Sequence, residues 1–239
     1  EYTVNVNWDP RAGFSAELVR TGDAPELTFN PNDFNFAVIG SATANGWNGD
    51  PGMDRNLFYK NVDGVHTWLG VFTFQSMDEN GDPAVFKFRI NDNWDELNLG
   101  GSIDALDAAG SASNIDSPGD GGYYIELSTA DEGLSWQATI NENHWGVIGE
   151  GSPVGNWDSD MDMTSEGFDA GISTYTITGD FTTGGWKFRA GDDWNMNLGG
   201  DFGFLTLDSP NNLMVSEDGT YKVTLNFNGE TYSATTELQ

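Results

Sequence analysis

The constraint that weighs most on this chain is an internal repeat. Val38-Ile39-Gly40 returns as Val147-Ile148-Gly149, Gly46-Trp47 as Asn156-Trp157 and Met53-Asp54 as Met161-Asp162, always in the same order. The longest echo is Phe86-Lys87-Phe88-Arg89-Ile90-Asn91-Asp92-Asn93-Trp94, closing on Leu99-Gly100-Gly101. Its counterpart is Trp186-Lys187-Phe188-Arg189-Ala190-Gly191-Asp192-Asp193-Trp194, closing on Leu198-Gly199-Gly200. Such self-similarity means one structural unit used twice, so the fold must be assembled from a unit half the size of the chain. The second copy is shorter, mainly because the first carries Asp78-Glu79-Asn80-Gly81-Asp82 as a longer loop, the kind of insertion a surface connection absorbs.

Each copy ends on the same strand pair. Tyr123-x-Ile125-x-Leu127 followed by Trp136-Gln137-Ala138-Thr139 matches Tyr221-x-Val223-x-Leu225 followed by Tyr232-Ser233-Ala234-Thr235. A third instance stands at the start, where Tyr2-x-Val4-x-Val6 precedes Phe14-Ser15-Ala16-Glu17, and it is expected to close an earlier domain of the same kind. Thr21-Gly22-Asp23-Ala24-Pro25 and Asn30-Pro31-Asn32-Asp33 then read as linker or turn, since proline lacks the amide a central strand must donate. The expected division is a closing hairpin plus linker over residues 1–32, a first module over 33–140 and a second over 141–239. A short joint should run from Thr139 to Trp145.

Within the repeat the period is two. Thr174-Tyr175-Thr176-Ile177 and Tyr221-Lys222-Val223-Thr224-Leu225 alternate apolar with polar residues, Gly, Asn and Asp fill the intervals, and no stretch longer than two turns keeps helical spacing. The 31 glycines and the wealth of aromatic residues point the same way. An all-β chain of two tandem β-sandwiches is expected.

Charge and composition remove several function classes. Nine basic against 38 acidic side chains give a net charge of -29, which excludes phosphate backbones and anionic lipid as partners. The absence of cysteine removes disulfides, thiolate zinc sites and cysteine nucleophiles. No apolar run approaches the ~18 residues of a membrane span. The chain opens on Glu1-Tyr2-Thr3 with no signal-like segment, so an exported form is expected to have lost its addressing segment.

Nine tryptophans are too many to be of one kind, and their neighbours sort them. Trp136 alternates with Leu134, Ala138 and Ile140, Trp145 with Val147, and Trp186 with Phe188, so these three are expected in the core. Trp68 and its counterpart Tyr175 share faces with Phe72 and Phe74 or with Ile177, which points to the core before the site, and they stand as second-tier ligand contacts. Trp47, Trp94, Trp157 and Trp194 have only turn-forming and hydrogen-bonding neighbours, at matching positions in both copies, which points to recognition. Lys87, Arg89, Lys187 and Arg189 occupy alternate positions of the repeated strand, opposite its apolar face and close to Trp94 or Trp194. They read as ligand contacts, with ion pairing on an outer sheet face as the other reading of the arginines. Indole faces beside fixed donors and acceptors suit the C–H face and hydroxyls of a pyranose, and the charge of the chain makes that sugar neutral.

Gly-Trp, then Phe-Lys-Phe, then a Trp ahead of Gly-Gly resembles the carbohydrate-binding modules of SusE/SusF-type outer-membrane starch-binding lipoproteins. The likeness spans residues 33 to 239 and is most specific over Trp186–Trp194. It implies tandem surface β-sandwiches following an immunoglobulin-like domain and a lipidated cysteine, tethered by that lipid at the outer membrane beside a glycan transporter complex. It also implies α-glucan stacked on two aromatics, with Lys or Arg and acidic or amide groups on its hydroxyls. By motif the first site takes Trp47, Trp94 and Lys87, and the second Trp157, Trp194 and Lys187. Asp92, Asn98, Asp193 and Asn197 stand as secondary contacts. Phe86 in place of Trp186 and the longer loop set the first copy apart, and a laminarin-like β-glucan is the alternative ligand.

Two other classes have weaker support in the sequence. A glycoside hydrolase would need a carboxylate pair, but 38 acids make close pairs common by chance. His66 and His144 do not correspond between copies, and no Gly-x-Ser-x-Gly elbow occurs. No cofactor is expected. A structural calcium, as in an adhesion module, has a partial motif in Asp158-x-Asp160-x-Asp162, with Met163 where the loop needs glycine and Asp169 where it needs glutamate.

Overall fold

The computed structural model describes residues 2–9, 13–20, 29–43, 45–47, 55–142, 145–169 and 172–239. The expected linker at 21–25, the Met53-Asp54 echo and His144 lie outside them. Two compact units are present, residues 1–30 and 31–239.

The first unit is an antiparallel hairpin of β1 (Tyr2–Asp9) and β2 (Gly13–Arg20). Its Val4, Val6 and Phe14 are exposed, Phe14 by 79%.

The second unit contains the repeat as two sets of strands in one order. The first set is β3 (Phe36–Ile39), β4 (Arg55–Asn56), β5 (Phe58–Val62), β6 (Val65–Phe74) and β7 (Val85–Ile90), then β8 (Asn98–Ser102), β9 (Ala105–Asp107), β10 (Ile115–Asp116), β11 (Gly121–Thr129) and β12 (Gln137–Glu142). Here one sheet runs β4-β3-β7-β8-β9, with β10 on β7, and the other β12-β11-β6-β5. The second set is β13 (Trp145–Gly149), β14 (Asn156–Asp162), β15 (Thr164–Asp169), β16 (Ile172–Phe181) and β17 (Lys187–Ala190), then β18 (Met196–Asp201), β19 (Phe204–Leu207), β20 (Gly219–Phe227) and β21 (Tyr232–Leu238). They join in the order β14-β13-β17-β18-β19-β21-β20-β16-β15. The single pair Leu205–Tyr232 links the halves of this run, and the isolated bridge Leu106–Trp136 stands at the same place in the first set. The chain is all-β, and among the described residues every strand pairing is antiparallel.

Apolar side chains meet between the two sheets of the first set and between the two halves of the second run. Trp68 and Trp136 lie 5.6 Å apart beside Phe36 in the first, and Trp145 packs on Tyr232 at 5.2 Å in the second. The core assignment of Trp136, Trp145 and Trp186 holds, at 5%, 0% and 0% exposure. Leu134 does not share that face: it sits in the turn before β12, 89% exposed. Val38 faces Arg55 and Val147 faces Met161, so by strand register Met161 corresponds to Arg55.

The repeated Val-Ile-Gly ends on a glycine for a steric reason. Gly40 and Gly149 have φ of 151° and 132°, and a Cβ there would lie 2.3 Å from the Val85 carbonyl or 2.5 Å from that of Gly185. The chain can therefore leave β3 or β13 close against the neighbouring strand and turn back towards Trp47 or Trp157.

The two strand sets pack together. Phe58 lies 5.6 Å from Tyr232 and 6.3 Å from Phe227, Phe72 is 6.3 Å from Phe227, and the buried Arg55 guanidinium stands 5.7 Å over the Phe227 ring. This covers the outer side of β6, whose residues Thr67–Phe72 are buried on both faces.

Candidate functional site

Each strand set carries a pair of indoles on the outer side of the sheet formed by its first strands. Trp94 and Trp194 follow the tight turn after β7 or β17. Left-handed residues make that turn: Asn91 and Asp92 at φ 53° and 52°, Gly191 and Asp192 at 76° and 52°. Gly, Asn and Asp adopt this conformation at least cost, which accounts for the turn sequence in both copies. Trp47 lies in the turn beyond the Gly40–Gly46 bridge. Trp157, expected in a loop, is instead the second residue of the edge strand β14, just after Gly155 at φ 66°.

The four indoles form two matching pairs. Trp47 and Trp94 have ring centroids 6.0 Å apart and planes inclined by 41°, and Trp157 and Trp194 lie at 6.1 Å and 37°. Trp47, Trp94 and Trp194 are each about 40% exposed, and Trp157 is partly buried. Large aromatic faces left open to water at equivalent places mark a contact surface.

The basic residues stand behind the indoles. Arg89 and Arg189 place their guanidinium carbons 4.7 Å and 5.4 Å from the rings of Trp94 and Trp194. At 0% and 5% exposure they are corrected from direct ligand contacts to supports that hold the rings by cation–π attraction. Arg189 also donates from Nε to Asp160 Oδ2 at 2.9 Å, and this carboxylate holds the guanidinium pKa above its ordinary value. Lys87, itself buried, donates to Asn98 Oδ1 at 3.3 Å and is likewise corrected from a direct ligand contact to a support, while the partly buried Lys187 donates to Asn197 Oδ1 at 3.0 Å and to the Ser209 carbonyl. Burial lowers the Lys187 pKa, with Asp208 opposing. Asn98 and Asn197 are buried and orient the lysines, so they too move behind the surface. Asp193, exposed in its turn, accepts from the Asn195 amide at 2.9 Å. Asp92 is partly buried in the turn after β7.

Trp68 and Tyr175 are corrected to core residues. They are 1% and 0% exposed, Trp68 donates to the Phe34 carbonyl, and burial pushes the Tyr175 hydroxyl up to about 12.

The spacing Asp158-x-Asp160-x-Asp162 falls on β14, so it reflects a strand's period of two and not a cation loop. Asp160 and Asp162 join Asp192 in a cluster whose oxygens lie within 4.8 Å. Burial and the neighbouring carboxylates raise the Asp192 pKa, against Arg189. Arg189 already pairs with Asp160, which leaves a poor donor set for a hard cation. The Lys60 ammonium, which the sequence reading missed, reaches from β5 to the loop of the second indole pair. It donates to the carbonyls of Trp194 at 3.3 Å and Asn195 at 2.9 Å and pairs with Asp208 at 3.0 Å.

No family model and no curated protein match this sequence. Among solved structures the chain is similar to SusF from Bacteroides thetaiotaomicron, at 19% identity over 95% of this chain, with a TM-score of 0.31. The chain spans 52% of that protein's length.

Proposed function

We propose that residues 33–140 and 141–239 are two non-catalytic modules, each binding a neutral polysaccharide on its indole pair. The observation that carries this reading is the recurrence of one partly exposed tryptophan pair, with nearly the same separation and tilt, on both copies. Inclined rings suit a chain that bends between successive sugars, since a flat ribbon would meet only one of them face on. That fits an α-glucan of the starch type, which the motif resemblance favours, and also a laminarin-like β-glucan, whose chain bends too, as the second reading. The charge of -29 weighs against a polyanionic glycan.

The hairpin at residues 2–20 reads as the end of a preceding module. Val6 faces Ala16 just as Leu127 faces Ala138 and Leu225 faces Ala234, yet Val4 and Val6 are exposed where Ile125, Leu127, Val223 and Leu225 are buried. The motif resemblance adds the expectation of an outer-membrane protein at the cell surface, beside a glycan transporter complex.

Calorimetry with maltoheptaose and laminariheptaose, on the whole chain and on Trp47→Ala/Trp94→Ala and Trp157→Ala/Trp194→Ala, tests the proposal. Each double variant should lose one of two sites with dissociation constants of roughly micromolar to millimolar size. Binding unchanged in both would end the platform reading, and release of new reducing ends from either glucan would end the non-catalytic one.

A further inference from the structure

A cleft of about 680 Å³ opens on the flank of Trp47, and nothing in the platform geometry uses it. Thr43, Asn45, Trp47, Gln75, Glu79 and Asn80 are among its walls, so one indole serves both the platform and the cleft. The far wall is the loop that sets the first copy apart, residues 75–84 between β6 and β7, where the second copy connects β16 to β17 through 182–186.

The loop is built to keep one shape. Met77 bridges Pro83, the Asp78 amide donates to the Asp82 carbonyl at 2.8 Å, and the Asp78 carboxylate accepts the amides of Asn80 and Asp82 at 2.8 Å and 2.9 Å. Those amides hold the Asp78 carboxyl below the usual carboxylate range. At its base Gln75 joins the Trp47 side of the cleft through two bonds, its amide to the Ala42 carbonyl at 2.9 Å and its side chain to the Ser41 carbonyl at 2.7 Å. The cleft is therefore formed before a ligand arrives, and little ordering entropy opposes binding there.

We infer that this cleft is an extension subsite of the first platform, taking further sugar units of a neutral glycan chain that has crossed Trp47. The inference rests on the glycan reading of the platforms. Its walls offer one aromatic ring and otherwise hydrogen-bonding groups, the composition that hydroxyl-rich residues match, and Asp78 and Glu79 disfavour an anion. The two modules then differ in use: the first reads a longer stretch of chain than the second.

The test silences the second platform with Trp157→Ala/Trp194→Ala in the whole chain and measures calorimetric affinity for a trisaccharide and a heptasaccharide of each glucan series. Asn80→Ala, Glu79→Ala and replacement of Asp78–Asp82 by two glycines are compared with the parent. Heptasaccharide affinity should fall by about fivefold, as expected for lost hydrogen bonds to sugar, with the trisaccharide unaffected. Equal losses for both lengths would show that the loop only holds the platform in shape, and no loss would show an unused cleft. Either overturns the subsite while leaving the platforms standing. A whole chain that binds no neutral oligosaccharide removes the platform reading, and the subsite with it.

Discussion

A half-exposed indole and a buried one differ in what their removal costs, and the two kinds stand a few residues apart on one strand and turn. Trp186 is fully buried, with the rings of Phe181, Phe188 and Phe202 at 5.1, 5.1 and 5.8 Å. Trp186→Ala should cost roughly 3–5 kcal/mol, whereas Trp194→Ala should leave the melting temperature nearly unchanged and abolish glucan binding by the second module. Thermal melts beside calorimetry on both variants check this, and an early-melting Trp194→Ala that still binds would make Trp194 a plug. Asp192 gives a pH-dependent counterpart. It faces Asp160, Asp162 and Arg189, and its pKa is raised in the folded chain. A carboxyl raised on folding favours the native state while protonated in both states and costs stability as pH rises through the folded value. Asp192→Asn, which keeps a residue tolerant of φ 52°, should therefore melt higher than the parent at neutral pH, with the gain shrinking as pH falls towards about 4. An advantage that is constant across that range would refute the assignment.

Strands and turns show which parts of the molecule could be read in advance. β16 alternates cleanly, with Ser173, Tyr175 and Ile177 buried and Thr174, Thr176 and Thr178 less so, because water meets its outer side. β6 does not alternate: Thr67-Trp68-Leu69-Gly70-Val71-Phe72 is buried throughout, since the second strand set lies on its outer side. The unbroken apolar run was a signal of double burial that a search for period two passes over. The indole pairs were legible because turn residues surround them. The ion pair of Arg189 with Asp160 was legible as one of two readings, but the place of Arg89 and Arg189 under the indoles was not, because alternation gives the face a residue points to but not that an indole folds down over it. Lys60 was invisible for a related reason, its partners lying in the other copy. Gly149 offers a test of the shared strand exit. With φ of 132° and a Cβ that would sit 2.6 Å from the Trp186 Cα, Gly149→Ala should destabilise by at least about 1–3 kcal/mol. Chemical denaturation measures it, and a neutral outcome would mean that the bulge between Val147 and Gly149 yields freely.

Across the whole of residues 31–239 the two strand sets are unequal partners, because the first set supports the second platform from outside. Tyr124 of β11 lies so close to Gly191 that a Cβ there would stand 3.0 Å from its ring, and Lys60 gathers two carbonyls of the loop and the Asp208 carboxylate. The matching loop of the first platform is held within its own set, by Asn91 bonding to Asp33, Asn35 and Glu96. Severing Lys60 should then affect binding by the second platform alone. A partly exposed ion pair contributes about 1 kcal/mol or less to folding, so Lys60→Ala should move the melting temperature little. Its two carbonyl bonds fix the backbone that carries Trp194, and their loss lets the indole wander from its 6.1 Å partnership with Trp157. With the first platform silenced by Trp47→Ala/Trp94→Ala, Lys60→Ala should weaken heptasaccharide binding by about threefold to tenfold, with partial recovery in Lys60→Arg. With the second platform silenced instead, the same substitution should change nothing. Losses of equal size in both backgrounds, or a large drop in melting temperature, would mean that Lys60 holds the junction together and does not position the indole.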